Sequence, residues 1–279
     1  MRIGFIGAGK VGFSLGKYFA CNGLTLSGYY SRNKLNAIEA AEFTHSRAYD
    51  QLSELTKDSD ALFLTVSDGA ISQVWEQLKE LQIDGKIVCH CSGALSSKIF
   101  SGVTDGKIYG YSVHPLFAVS SKYDSYKELS KCYFTIEGAT EYLEQMKALF
   151  TGMGNPVAVI DTEQKVKYHA AAAVSSNRVG GLIAMSEQML VECGFDAADA
   201  QRALTPIVQG NVQHIVSEGT VEALTGPIER NDVETVKKHL DCLSGNTKEV
   251  YRTVSREVLR VAKKRHVDVD YRGMEEQLQ

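Results

Sequence analysis

The sequence predicts an α/β fold, a Rossmann-type doubly wound, mostly parallel sheet followed by an all-α C-terminal domain. Three observations carry the prediction. Short β-branched runs alternate with helical patterns through the first half of the chain. A glycine-rich turn, Gly7-Ala8-Gly9-Lys10-Val11-Gly12, follows the first of those runs and opens a helix. From Asp161 onward the strand signals stop and only helical periodicity remains. The expected division is therefore residues 1–160 for the sheet domain and 161–279 for a helical domain.

Strands are expected at Arg2 to Ile6, Thr25 to Tyr30, Ala61 to Val66, Lys86 to Cys91, Lys107 to Val113, Cys132 to Ile136 and Val157 to Ile160, with helices beginning near Lys10, Lys34, Gly69 and Thr140. In the second half, Asp161 with Gln164, Asn231 with Glu234 and Asn246 with Glu249 read as capping boxes at helix starts. Val233, Val236, Leu240 and Leu243 share one helical face, as do Val250, Val254, Val258 and Val261.

The chain has 279 residues, 44% hydrophobic and 23% charged, with a formal net charge of −4. Those values are ordinary for a globular protein and argue against disorder and against binding nucleic acid through bulk positive charge. The apolar run Ala61 to Val66 is far short of a membrane span, and the glycine-broken N-terminus lacks the apolar stretch of a signal peptide, so a cytoplasmic protein is expected. Six scattered cysteines are expected to be reduced. Cys89-His90-Cys91 does not make a metal site, because alternate strand residues point to opposite faces and no second ligand pair follows. No metal is expected.

Each glycine of the turn has a distinct task. Gly7 permits the tight turn, Gly9 lets a pyrophosphate reach the backbone, and Gly12 lets helix and strand pack closely. Unpaired N–H groups at the helix N-terminus then face the phosphates. The end of the second strand chooses the nucleotide: Tyr30-Ser31-Arg32-Asn33-Lys34 holds no carboxylate for a ribose hydroxyl but has an arginine able to fork onto a 2′-phosphate. NADP is preferred over NAD on that basis, although a strand-end arginine is also an ordinary solvated charge. Val66-Ser67 and Ser92 follow later strands at the same carboxyl edge, on the nicotinamide side; Ser92 serves equally well as a helix cap.

Lys165 and His169 lie one turn apart on the helix that opens the all-α half, and either can protonate a substrate as hydride arrives; the same spacing is that of a solvated helix face. His114, just past the fifth strand, is held extended by Pro115, as a substrate ligand or as a packed turn residue.

The segments Gly7 to Gly12, Val66-Ser67-Asp68, Ser92-Gly93, His114-Pro115-Leu116, Lys165 with Tyr168-His169-Ala170-Ala171, Ser176-Asn177, and Ala223 to Ile228 with Arg230 run over nearly the whole chain. Together they resemble bacterial proteins that join a Rossmann-like NADP-binding domain to a helical domain of undefined function, described as NADP oxidoreductases and as relatives of pyrroline-5-carboxylate and ketopantoate reductases. The wider superfamily, with its β-hydroxyacid and 6-phosphogluconate dehydrogenases, places a lysine and, four residues on, an asparagine on the helix entering its C-terminal domain. Lys165 matches the lysine, and His169 stands where asparagine would be. The resemblance thus implies a proton-donor role for Lys165, with His169 an equal candidate, and Ser92 beside them in the catalytic set. Thr225-Gly226-Pro227 is similar to the stretch lining the imine site of pyrroline-5-carboxylate reductase, and Asn177 joins Thr225 and His114 as a substrate ligand. A homodimer through the helical domain is implied in the same way. The function expected is hydride transfer between NADP(H) and a small carbonyl or imine compound in the cleft between the halves; the alternative is a non-catalytic NADP sensor acting through a helical dimer.

Overall fold

The computed structural model describes residues 1–102 and 108–279. Strands β1 (Arg2–Ile6), β2 (Thr25–Tyr30), β3 (Arg47–Ala48), β4 (Ala61–Leu64), β5 (Ile87–His90), β6 (Tyr109–Pro115), β7 (Phe134–Gly138) and β8 (Val157–Val159) form one sheet in the order β3-β2-β1-β4-β5-β6-β7-β8. The run from β3 to β6 has the 3-2-1-4-5-6 order of the dinucleotide-binding fold, with its switch point between β1 and β4. Among the described residues only β6 and β7 pair antiparallel. The connecting helices are α1 (Lys10–Cys21), α2 (Lys34–Thr44), α3 (Leu52–Asp58), α4 (Asp68–Lys79) and α5 (Leu143–Thr151). Lys107, where the fifth strand was expected to begin, lies outside the described residues.

The buried face of each element explains its place. Phe5, Phe63, Cys89, Tyr111, Phe134 and Ile136 project to one side of the sheet and meet Phe13, Leu15, Phe19 and Phe150 of α1 and α5. Ile6, Leu62, Leu64 and Val88 project to the other and meet Leu55, Ile71, Trp75 and Leu78 of α3 and α4. Strands β1, β4 and β5 are buried on both faces because helices cover both.

The chain divides into two compact units, Met1–Ser175 and Ser176–Gln279. The first includes α6 (Lys165–Val174), reached through a 3-10 turn at Thr162–Gln164. The second is helical throughout: α7 (Asn177–Glu192), α8 (Ala197–Glu218), α9 (Val233–Cys242), α10 (Gly245–Arg265) and α11 (Arg272–Gln277). Val236 and Leu240 of α9, Leu259 and Ala262 of α10 and Met274 of α11 make its core.

Three local expectations are corrected. Asp161 precedes a 3-10 turn without a side-chain cap. The cap of α9 is Asp232, whose carboxylate accepts from the Thr235 amide at 3.1 Å, not Asn231, which has φ of 55°. Helix α10 starts at Gly245, one residue ahead of Asn246. At α10 the residue with the extended backbone that a cap requires is Ser244. All six cysteines are free. Among the described residues no helix is long and apolar enough to cross a membrane, and no group of three His, Cys, Asp or Glu residues is placed to hold a metal ion.

Candidate functional site

Gly7 has φ of +105°, and a β-carbon there would stand 2.9 Å from the Thr65 carbonyl and from Val66. A β-carbon on Gly12 would stand 2.5 Å from the Gly7 carbonyl oxygen and 2.6 Å from the Thr65 hydroxyl, which itself donates to Gly7 O at 2.8 Å. The Gly7 amide donates to the Tyr30 carbonyl at 2.8 Å, pinning the turn to the end of β2. Gly9, the N-cap of α1, is different: the nearest atom to its would-be β-carbon is 4.0 Å away, so the backbone lies open on that side. Ala8 is buried, Val11 half-buried and Lys10 exposed; the first turn of α1 carries no acid to offset its positive end. A cavity of about 200 Å³ opens here, lined by Gly7, Gly9, Ser31, Arg32, Val66 and Ser67 among others.

Arg32 is exposed and forms no ion pair among the described residues. Its neighbours are engaged: the Asn33 side chain caps α2 by accepting from the Leu35 amide at 3.0 Å, and Lys34 pairs with Asp50 at 2.6 Å. Ser67 is the exposed N-cap residue of α4 and leaves its hydroxyl out of the cap.

The second cluster forms where β5, β6 and β7 carry polar residues in one row. His90, Ser112 and Glu137 are register partners across the three strands and are all buried. His90 Nδ1 accepts from the Ser92 amide at 3.3 Å and its Nε2 faces the Ser96 carbonyl at 3.2 Å, which fixes a neutral ring; burial holds it below the usual histidine range. Glu137 accepts from the Ser97 amide at 2.6 Å, the Ser97 hydroxyl at 2.8 Å and the Thr162 hydroxyl at 2.9 Å.

His114 stands on β6 rather than past it, because the strand continues to Pro115, which pairs with Phe134. Its Nδ1 is 2.7 Å from the Tyr168 hydroxyl, and burial, helped by the Lys165 charge, pushes it down to about 3, leaving a neutral imidazole. His169 is half-buried, its ring 6.4 Å from that of His114 and edge-on to it. Gly93 makes room for both: a β-carbon there would lie 2.5 Å from His169 Cδ2 and 2.9 Å from His114 Nε2.

Lys165 is 1% exposed, and its Nζ has no hydrogen-bond partner among the described residues. The ammonium lies 5.4 Å over the Tyr168 ring. Burial brings it down to about 8, against the opposing pull of Glu137 and Asp68. A group titrating there, with N–H donors unspent in the protein interior, suits proton transfer near neutral pH.

The first unit therefore gathers Lys165, His169 and His114, with Ser92 in the adjoining loop. The Ser92 hydroxyl is fully engaged: it donates to Asp68 at 2.7 Å and accepts from the Ala94 and Leu95 amides at 3.2 and 3.0 Å. Asn177 and Thr225 belong to the second unit. Asn177 opens α7 and accepts from Arg178 at 2.7 Å; Thr225 borders an apolar groove of about 660 Å³ with Leu182, Ile183, Leu204, Ile207 and Val212. Glu137 carries no motif of its own, and its one signal is a buried polar row that only strand pairing assembles.

Residues 1–115 match the model of a Rossmann-like domain and residues 132–258 that of DUF2520, a domain of unknown function. No curated protein matches the chain by sequence. Among solved structures, protein TM1727 from Thermotoga maritima superposes with a TM-score of 0.76 at 25% identity, covering 94% of this chain and 98% of that one. A proposed NADP oxidoreductase, BF3122, from Bacteroides fragilis gives 0.71 at 21% identity over 93% and 98%. A reductive aminase from Aspergillus terreus, in complex with NADPH and ethyl-5-oxohexanoate, gives 0.66 at 11% identity over 93% of each. At these identities the shared property is the fold.

Proposed function

We propose that this chain, a Rossmann-like domain joined to a DUF2520 domain, is an NADP(H)-dependent oxidoreductase acting on a small carbonyl or imine compound. The observation that carries the reading is the buried Lys165 ammonium, unpartnered among the described residues and within the same unit as the glycine cradle. Gly7, Ala8, Gly9, Lys10, Val11 and Gly12 hold the pyrophosphate, the open backbone at Gly9 giving the close approach. Arg32, unpaired and exposed beside Ser31, takes the 2′-phosphate; Val66 and Ser67 border the ribose and nicotinamide. When bound, NADPH supplies the hydride. Lys165 Nζ then donates a proton to the oxygen or nitrogen of the reduced double bond, so one hydride and one proton are added in all. His114, neutral and held by Tyr168, orients the substrate, and His169 is the second candidate donor. Ser92, with its hydrogen bonds spent, shapes the loop that carries Gly93. The NADPH-bound reductive aminase supports the cofactor assignment by fold alone.

We further propose a homodimer through the helical unit. Helices α7 and α8 bury only Ala200 between them, while Val179, Val191, Ile207, Val212, Ile215 and Val216 are exposed.

Nicotinamide fluorescence tests the cofactor: NADPH should bind more tightly than NADH, and Arg32→Ala should remove that preference. Tighter NADH binding defeats the assignment. Turnover is then measured over keto acids, aldehydes and cyclic imines, where Lys165→Ala should lower kcat. If both Lys165→Ala and His169→Ala keep full kcat, neither is the proton donor; NADPH binding without any turnover points to a sensor. Light scattering coupled to size exclusion should give twice the 30.6 kDa chain mass, and a monomer at micromolar concentration overturns the dimer.

A further inference from the structure

We propose that Glu137 is a positioning residue, whose buried carboxylate clamps the entry to α6 and keeps the Lys165 ammonium charged inside the site. The clamp is direct. Both carboxylate oxygens of Glu137 are occupied by donors from two other segments, Ser97 through its amide and hydroxyl and Thr162 through its hydroxyl. Thr162 lies in the 3-10 turn that leads into α6, one helical turn before Lys165. Strand β7 thus fixes where α6 begins, and with it where Nζ points.

The electrostatic part follows from counting the groups that face Lys165. From β5 and its loop come His90, neutral with both ring nitrogens engaged, and Cys91, whose thiol is pushed up to about 12 and so carries no charge at neutral pH. From β6 comes His114, a neutral ring. From α6 itself come the un-ionised phenol of Tyr168, lifted by burial, and His169 one turn on. From α4 comes Asp68, an exposed residue that also takes the Ser92 hydroxyl. Glu137, 1% exposed, is the one buried carboxylate of the set, and its attraction is the largest force opposing the desolvation of Lys165. An opposite charge acts far more strongly through a buried path than through water.

The chemical consequence rests on the function proposed above. A reductase needs Lys165 protonated before hydride arrives. Without Glu137 the buried amine loses its proton at lower pH, and the site passes from proton donor toward proton acceptor. Glu137 touches neither substrate nor cofactor in this scheme; it acts through Lys165.

The test needs neither cofactor nor turnover, so it can fail while the functional reading stands. The full-length protein carrying ¹³Cε-lysine is titrated by NMR, the Lys165 resonance being assigned by its loss in Lys165→Met. Glu137→Gln should lower the Lys165 midpoint by about one pH unit or more. Thr162→Val, which strips one clamp bond and leaves the carboxylate in place, should keep the midpoint close to that of the unaltered protein. It is also the safer variant to fold. An unchanged or raised midpoint in Glu137→Gln overturns the proposal. So does a fall in Thr162→Val of the size expected for loss of the charge, because the effect would then be geometric alone. If NADPH binding fails while the midpoint shifts as stated, the functional reading is wrong and the role of Glu137 stands.

Discussion

Lys165 is costly to bury. Its ammonium is withdrawn from water, has no hydrogen-bond partner among the described residues, and falls from an ordinary value of 10.5 to about 8. Between those pH values the unfolded chain binds a proton that the folded chain has released. Stability therefore rises with pH across that window, and the penalty, about 3 kcal/mol, is fully present below it. Lys165→Met should accordingly raise the melting temperature at pH 7 while abolishing turnover, a combination that calorimetry and a rate assay check together. A lowered melting temperature would mean that the ammonium stabilises the fold. The sign for catalysis is opposite. Reduction needs the protonated amine, so its rate should decline as pH rises through about 8, and oxidation in the reverse direction should gain over the same range.

At the scale of elements, the docking of α1 onto the sheet depends on a glycine outside the phosphate turn. Tyr29 of β2 is fully buried, stacks on Phe5 at 5.1 Å and donates to the Gly12 carbonyl at 3.2 Å; a β-carbon on Gly16 would collide with its hydroxyl. Gly16→Ala should destabilise the protein by about 1–3 kcal/mol, the usual cost of overpacking, read as an earlier urea midpoint. An unchanged midpoint would show that Tyr29 swings aside freely. The long strands and the helices after them are legible in the sequence, since a strand covered on both faces, such as Ala61-Leu62-Phe63-Leu64, is apolar throughout. Strand β3, with two residues, and α3, with seven, are too short to show a period. Glu137 is hidden for a different reason. Phe134-Thr135-Ile136-Glu137 alternates like a strand with one solvated face, yet the Thr135 and Glu137 face is buried, because neighbouring segments supply its donors.

At the scale of the molecule, a net charge of −4 says nothing about where the positive groups lie. Arg32 is exposed at one end of the cradle and Lys165 buried beyond it, and neither has a carboxylate within ion-pair reach among the described residues. The cradle is readable because its glycines lie within six residues of one another; the surroundings of Lys165 are only half readable, because the residues around it come from β5, β6, β7 and α4, far apart in the chain. The orphaned Nζ has a last consequence, for heat rather than for rate. A ligand that brings an oxygen to that ammonium relieves a deficit the fold carries, and such a ligand favours the folded state by mass action. Binding at Lys165 should therefore be visible as a rise in melting temperature for small carboxylates and carbonyl compounds that are never turned over, and the rise should vanish in Lys165→Met. A thermal-shift survey would then sort ligands for this protein before any reaction is known.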